Sequence, residues 1–219
     1  MERFKKPLVI SCGILRKEIE HLQRKGDIDV EAYFLSEKLH MDYNLLDRGL
    51  NCALKKHQKK SHRGIVVVYG DLCLGFNDEM KTLISKYDAV KVDALNCIDC
   101  LLGGKGNLLN LDPDHKILFL NPAFIEFGEK IREETKEWTR ETYSMLDGIV
   151  LLDALGDLDD YQSKIDEIVE RTGLPIIDRM DATFILPKHL SSQSQSERFW
   201  PDKSSRINTL NFKNYCQAN

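Results

Sequence analysis

Apolar and polar positions along this chain follow two alternating periods. Short aliphatic, often β-branched runs recur, and most are followed by a stretch with helical spacing. Leu8–Ser11, Val30–Leu35, Ile65–Tyr69, Val90–Asp93, Ile117–Leu120 and Gly148–Leu152 read as strands. The unbroken run Ile65–Tyr69 is the pattern of a strand covered on both faces. Between them, Leu15–Arg24 reads as a helix with Leu15, Ile19 and Leu22 on one face, stopped by Gly26. Asn44–Lys60 turns Leu46, Leu50, Ala53 and Leu54 inward and ends in basic residues that suit the helix dipole. Asp78–Tyr87, a helical turn at Ile98–Leu102, a long charged helix over Pro122–Met145 and a helix over Asp160–Thr172 complete the set. Pro122 stands in the first turn of its helix, where a missing N–H costs nothing. Pro175–Ile177 and Ala182–Leu186 read as two short closing strands.

Alternating strands and helices predict an α/β fold, with a parallel-rich sheet and flanking helices. The expected form is Rossmann-like, in two lobes with a cleft, the break falling near 103–116. The predicted domain spans residues 1–190. From Ser191 the chain turns to Ser191-Ser-Gln-Ser-Gln-Ser196, and 191–219 reads as a polar low-complexity tail.

Composition narrows the function classes. The chain has 219 residues, 42% hydrophobic and 30% charged, enough to bury a core without disulfides. A net charge of −4 gives no electrostatic case for nucleic acid or an anionic membrane. No apolar run approaches the ~20 residues of a membrane span. The N-terminal apolar stretch contains Ser11, Cys12 and Gly13, runs into Arg16-Lys-Glu18 and lacks a cleavage pattern, so it does not read as a signal peptide. The expectation is a cytoplasmic protein whose cysteines are reduced or metal-bound.

Three of the six cysteines then change the picture. Cys12, Cys73 and Cys97 each lie at or just past the end of a predicted strand. If the strands are parallel, all three thiols reach the carboxyl edge of the sheet, where open α/β sheets bind ligands. Thiolates are soft donors for zinc, copper(I) or an iron–sulfur cluster. Three on a cluster leave one iron open; three on zinc leave one position for water or a thiol. Buried free cysteines also simply fill cores, and that alternative stands.

These residues carry a resemblance. Ser11-Cys-Gly-Ile-Leu-Arg-Lys-Glu18, Leu39-His40, Tyr69-Gly70-Asp-Leu-Cys73, Asn96-Cys-Ile-Asp-Cys-Leu-Leu-Gly103 and Ile149-Val-Leu-Leu-Asp153 resemble segments of the domain-of-unknown-function family numbered 1638. The similarity runs over about residues 7 to 187. Asn96 stands where the family usually has Asp, and Asn107–Phe124 lacks its Gly-Thr-Tyr and Trp pattern. The family has no settled activity. Its members occur in anaerobic archaea and bacteria, some near corrinoid methyltransferase systems. The resemblance implies that Cys12, Cys73 and Cys97 act together.

The expected site therefore has Cys12, Cys73 and Cys97 as metal ligands, with Gly13, Gly70 and Asn96 contacting the cofactor. His40 and Asp153 are its candidate acid/base or ligand-orienting groups. A loop histidine and a helix N-cap are their ordinary alternatives. The cofactor is an iron–sulfur cluster or zinc. The expected function is an enzyme acting on a small molecule in sulfur or methyl-group metabolism. The competing reading is a module that binds a metal, cluster or corrinoid-related molecule and delivers it to a methyltransferase protein.

Cys97-Ile-Asp-Cys100 has the spacing of a redox dithiol, but Cys100 reads better as a small core residue. Gly103-Gly-Lys-Gly106 lacks the spacing of a phosphate loop and reads as a flexible loop or lid.

Overall fold

The computed structural model describes residues 6–59, 64–135, 139–182 and 184. Among the described residues, seven parallel strands form two sheets with helices between them. The first sheet has the order β2-β1-β3-β4, from Glu31–Leu35, Leu8–Cys12, Ile65–Val68 and Ala89–Lys91. The second has the order β5-β6-β7, from Ile117–Leu120, Gly148–Asp153 and Ile176–Asp181. The chain changes sheet between β4 and β5.

The helices are α1 (Arg16–Lys25), α2 (Tyr43–His57), α3 (Glu79–Ile84), α4 (Cys97–Leu101), α5 (Asn107–Leu111), α6 (Pro122–Thr135) and α7 (Gln162–Thr172). Gly26 and Gly173 cap α1 and α7 in the left-handed region, with φ of 77° and 71°. Asp42 caps α2 by accepting from the N–H of Asn44 and Leu45.

In the first sheet β1 is central. The chain leaves it on one side to make β2 and returns on the other side to make β3. The winding therefore reverses at β1/β3, and crossover loops diverge there to leave a crevice beyond the strand ends.

One apolar cluster joins β1, β3, α2 and α4 to Phe119, Val150 and Leu152 of the second sheet. Ile149 and Leu151, which alternate with Val150 and Leu152 on β6, pack instead with Ile125, Ile165 and Ile168 of α6 and α7. β6 is thus buried on both faces, one toward the first sheet and one toward its own helices.

Three expected elements differ. The helix predicted to reach Met145 is assigned as α6 only to Thr135, and residues 140–145 form turns. Thr139 Oγ1 accepts from the N–H of Thr142 there, a local bond that competes with the helix. The strand predicted at Pro175–Ile177 runs on to Asp181, because β7 is an exposed edge that tolerates Asp178, Arg179 and Asp181. Ala182 and Phe184 are not in a strand, and the rest of the predicted 182–186 strand lies outside the described residues, as does the tail 191–219. No described helix is long and apolar enough to cross a membrane.

Candidate functional site

Each strand of the first sheet delivers one sulfur or imidazole donor at its carboxyl end. Cys12 is the last residue of β1. His40 lies in the 3-10 turn Glu37–Met41 after β2. Cys73 lies in the 3-10 turn Asp71–Leu74 after β3. Cys97 opens α4 after β4. Four segments separated in sequence are brought together because their strands are parallel and in one sheet.

Local chemistry fixes each donor. Asn96 caps α4, its Oδ1 accepting from the N–H of Asp99 at 2.9 Å. Asp99 is fully buried and accepts three backbone N–H groups, from Leu95, Gly106 and Leu108. Its carboxylate ties the loop before Cys97 to the Gly103–Gly106 segment. The N–H of Gly104 donates to the Asp99 carbonyl and that of Lys105 to the Asp93 carbonyl. These glycine-loop amides are spent within the protein, so the segment is a tied-down turn rather than the expected flexible loop or lid.

Two glycines let the donor loops meet. A Cβ on Gly70 would stand 2.1 Å from the Leu95 carbonyl oxygen and 2.2 Å from the Asn96 nitrogen. The N–H groups of Asp71 and Leu72 donate to Ala94 and Leu95 carbonyls, and Lys91 pairs with Asp71 at 3.1 Å. The Cys73 turn is thereby fastened to the Cys97 turn. A Cβ on Gly13 would stand 2.7 Å from Glu37 Oε2 and 3.1 Å from the Leu35 carbonyl oxygen. Gly13 thus lets the Cys12 turn approach the segment that carries His40. Lys130 of α6 reaches Glu37 at 3.2 Å from the other half of the molecule.

The side chains converge. One ligand atom from each of Cys12, His40 and Cys97 lies within 4.8 Å of the other two, and Cys12 Sγ is 3.8 Å from His40 Nδ1. Cys73 joins them through hydrogen bonding to Cys97 and His40. The Cys97 thiol donates to both neighbours. This donation, helped by His40 against the opposing effect of burial, lowers Cys12 to about 6 and Cys73 to about 5. Cys97 itself is pushed well up by the same two partners. Burial alone would depress His40, but hydrogen bonds and charge from Cys12 and Cys73 prevail and raise it to about 10. Without a metal these shifts favour two thiolates, one thiol and an imidazolium, one negative charge in excess.

Tyr69 seals the site from behind. It is fully buried, and its ring meets His40 edge-on at 5.5 Å between centroids. Burial, then the charge of Cys12, Cys97 and Cys73, holds its phenol far above the usual range. The hydroxyl interacts with the Cys12 sulfur, and among the described residues His40 Nε2 is buried without a partner.

The other expected site residues lie elsewhere or act otherwise. Asp153 ends β6 in the second sheet and is outside the close group; its carboxylate accepts from the Gly156 N–H at 2.7 Å and from Arg179 at 3.1 Å. Gly13, Gly70 and Asn96 have the loop-joining and capping contacts described above. Cys100 is a core residue whose thiol burial pushes up to about 12. With Cys97 also raised, the Cys97–Cys100 pair is the reverse of a low-pKa redox dithiol. Sequence reasoning missed the placement of Tyr69 and the Asp99 clamp, and it weighed His40 as a ligand or acid/base group at this edge without counting it in the donor set.

A cavity of about 400 Å³ opens beside the site, lined by Leu72, Asn96, Ile98, Phe119, Phe124 and Tyr143, among others. The cysteines do not line it, but Leu72 and Asn96 directly precede Cys73 and Cys97.

The chain belongs to the family described as a protein of unknown function (DUF1638), whose model matches residues 34–190. The match takes in His40, Cys73 and Cys97 and begins after Cys12. No curated protein and no solved structure matches the chain.

Proposed function

We propose that this member of the DUF1638 family is a thiolate metal protein that acts on a small molecule in sulfur or methyl-group transfer. The observation that carries this reading is one sulfur or imidazole donor from each of four parallel strands, with Cys12, His40 and Cys97 within 4.8 Å of one another. That donor set suits a soft or borderline ion.

Spacing favours one ion over a cluster. With metal–sulfur bonds of about 2.3 Å and metal–nitrogen bonds of about 2.0 Å, a sulfur and a nitrogen on one tetrahedral ion stand about 3.6 Å apart. Thiolates on different irons of a cluster must stand farther apart, since metal atoms separate them. The 3.8 Å between Cys12 Sγ and His40 Nδ1 fits a single ion such as zinc.

In this reading Cys12, His40 and Cys97 hold the ion, and Cys73, outside the mutually close trio, supplies the exchangeable fourth donor. A bound zinc ion supplies charge that keeps a thiol deprotonated and nucleophilic at neutral pH. The chain contributes the rest. Gly13 and Gly70 let the donor loops touch, and Asn96 orients Cys97 through its cap. Surrounding apolar residues exclude water, which strengthens charge interactions inside. The neighbouring cavity gives room for the apolar body of a small substrate.

A second reading is a carrier that holds a metal or corrinoid-related molecule for a methyltransferase partner. Its support is that the three cysteines are buried and four protein donors can close a site completely.

Element analysis and an ultraviolet–visible spectrum of protein purified without oxygen test the proposal. About one zinc per chain is the expected result. Iron with sulfide would replace the single ion by a cluster, and no metal after reconstitution would overturn the reading. Turnover of a small thiol or methyl donor by the loaded protein separates enzyme from carrier.

A further inference from the structure

Cys97 has two sulfur neighbours that come from other loops. Its thiol hydrogen-bonds with Cys12 and with Cys73. Two sulfurs can be joined without rebuilding the fold only where the backbones already lie close, since a disulfide spans Cα atoms about 4.4–6.8 Å apart. Sheet order separates the two pairs. β3 lies between β1 and β4, so the strand that ends in Cys12 and the strand that leads to Cys97 stand about 9–10 Å apart. Cys73 and Cys97 instead follow neighbouring strands, β3 and β4. The Leu72 N–H donates to the Leu95 carbonyl at 2.9 Å, and the Gly70 backbone abuts Leu95 and Asn96. The residues just before the two cysteines are therefore already in contact. Cys73 is also the most exposed of the three, at 9% against 1% for Cys12 and 3% for Cys97, so an oxidant arriving from solvent meets it first.

We propose that a peroxide couples Cys73 to Cys97 in a reversible disulfide that switches the metal site off. The disulfide stands on the sulfur geometry, and the loss of the ion rests on the proposed metal site. In the first step the Cys73 sulfur takes one peroxide oxygen, the O–O bond breaks, and the other oxygen leaves as water. The Cys97 sulfur then displaces the hydroxyl from Cys73. The S–S bond forms, the S–O bond breaks, and a second water leaves. Each sulfur gives one electron and the peroxide gains two; the two protons needed come from the thiols, or from solvent where a sulfur has none. A dithiol reverses the bond by exchange and returns two electrons and two protons. Oxidation leaves Cys12 and His40, 3.8 Å apart, as the remaining donors of the set. Two donors fall short of the three or four that hold zinc.

The test uses the full chain, purified without oxygen, loaded with zinc and treated with hydrogen peroxide. Released zinc is followed with a chromophoric chelator. Free thiols are then alkylated, and the linked peptides are mapped by mass spectrometry. The expected result is a cross-link between the peptides of Cys73 and Cys97, with about one zinc released per disulfide. Dithiothreitol should remove the cross-link and restore zinc binding. Cys100→Ala should behave as wild type, although Cys97 and Cys100 have the spacing of a redox pair. Any other linked pair, a sulfinic acid on Cys73 without a disulfide, or unmodified thiols would overturn the proposal. A Cys73–Cys97 disulfide that forms while zinc stays bound would overturn the switch. If wild type takes up no zinc, the metal reading falls, and the same mapping on the metal-free chain still decides the disulfide.

Discussion

The backbone of Gly70 lies against the backbone of Leu95 so closely that a Cβ there would stand 2.1 Å from the Leu95 carbonyl oxygen. This contact joins the Cys73 turn to the Cys97 turn, and backbone cannot retreat as a flexible side chain can. Gly70→Ala is therefore expected to cost about 2–4 kcal/mol and to part the two cysteines. Gly13→Ala meets the end of Glu37, which can swing aside, and the Leu35 carbonyl oxygen at 3.1 Å, which need give by only a few tenths of an ångström, and is expected to cost less, about 1 kcal/mol. Urea unfolding of both variants, with metal content measured in parallel, checks the order; equal losses would contradict it.

The Asp99 carboxylate holds three backbone N–H groups in a fully buried site. Asp99→Ala leaves all three without an acceptor and is expected to destabilise by about 3 kcal/mol or more. Asp99→Asn retains one acceptor oxygen and should lose less. Denaturant midpoints for the pair provide the measurement, and a neutral Asp99→Ala would show that the clamp is not needed.

How far the site could be read from sequence follows from what each residue borders. The strand ends at Cys12, Cys73 and Cys97 were legible because buried parallel strands leave unbroken apolar runs. The α/β class followed from the same runs. β7 was only half legible, since Asp178, Arg179 and Asp181 on an exposed edge hide its period. His40 was placed near the sheet edge, but its meeting with Cys12 is a contact between loops that no local pattern records. The Asp99 clamp was hidden for the same reason, because its partners at Gly106 and Leu108 lie across a turn. Asp153 had the expected position at a strand end, but Arg179 and the Gly156 turn engage its carboxylate.

Glu18 should make stability depend on pH. Its side chain is 4% exposed, one carboxylate oxygen has no partner among the described residues, and the other accepts from Asn121 at 3.3 Å. Burial first, then the charge of Asp157, raises it to about 7. The folded protein thus holds this proton more tightly than the unfolded chain. The stabilisation is complete below the unfolded value near ~4.5 and is lost as pH rises through about 7, a change of roughly 3 kcal/mol. Glu18→Gln should flatten that slope. Urea midpoints for both proteins at about pH 5 and about pH 8 check it, and parallel slopes would refute the assignment.

The four-donor centre is tested most directly by metal content across a variant series, with each protein purified without oxygen and measured by element analysis. Wild type is expected to hold about one soft metal ion per chain. Cys12→Ala, Cys97→Ala and His40→Ala should lose it, because each removes a member of the close trio. Cys73→Ala should bind more weakly but measurably, and Cys52→Ala, at an exposed position on α2, should match wild type. Equal metal content in all six proteins, or none in wild type after reconstitution, would contradict the account.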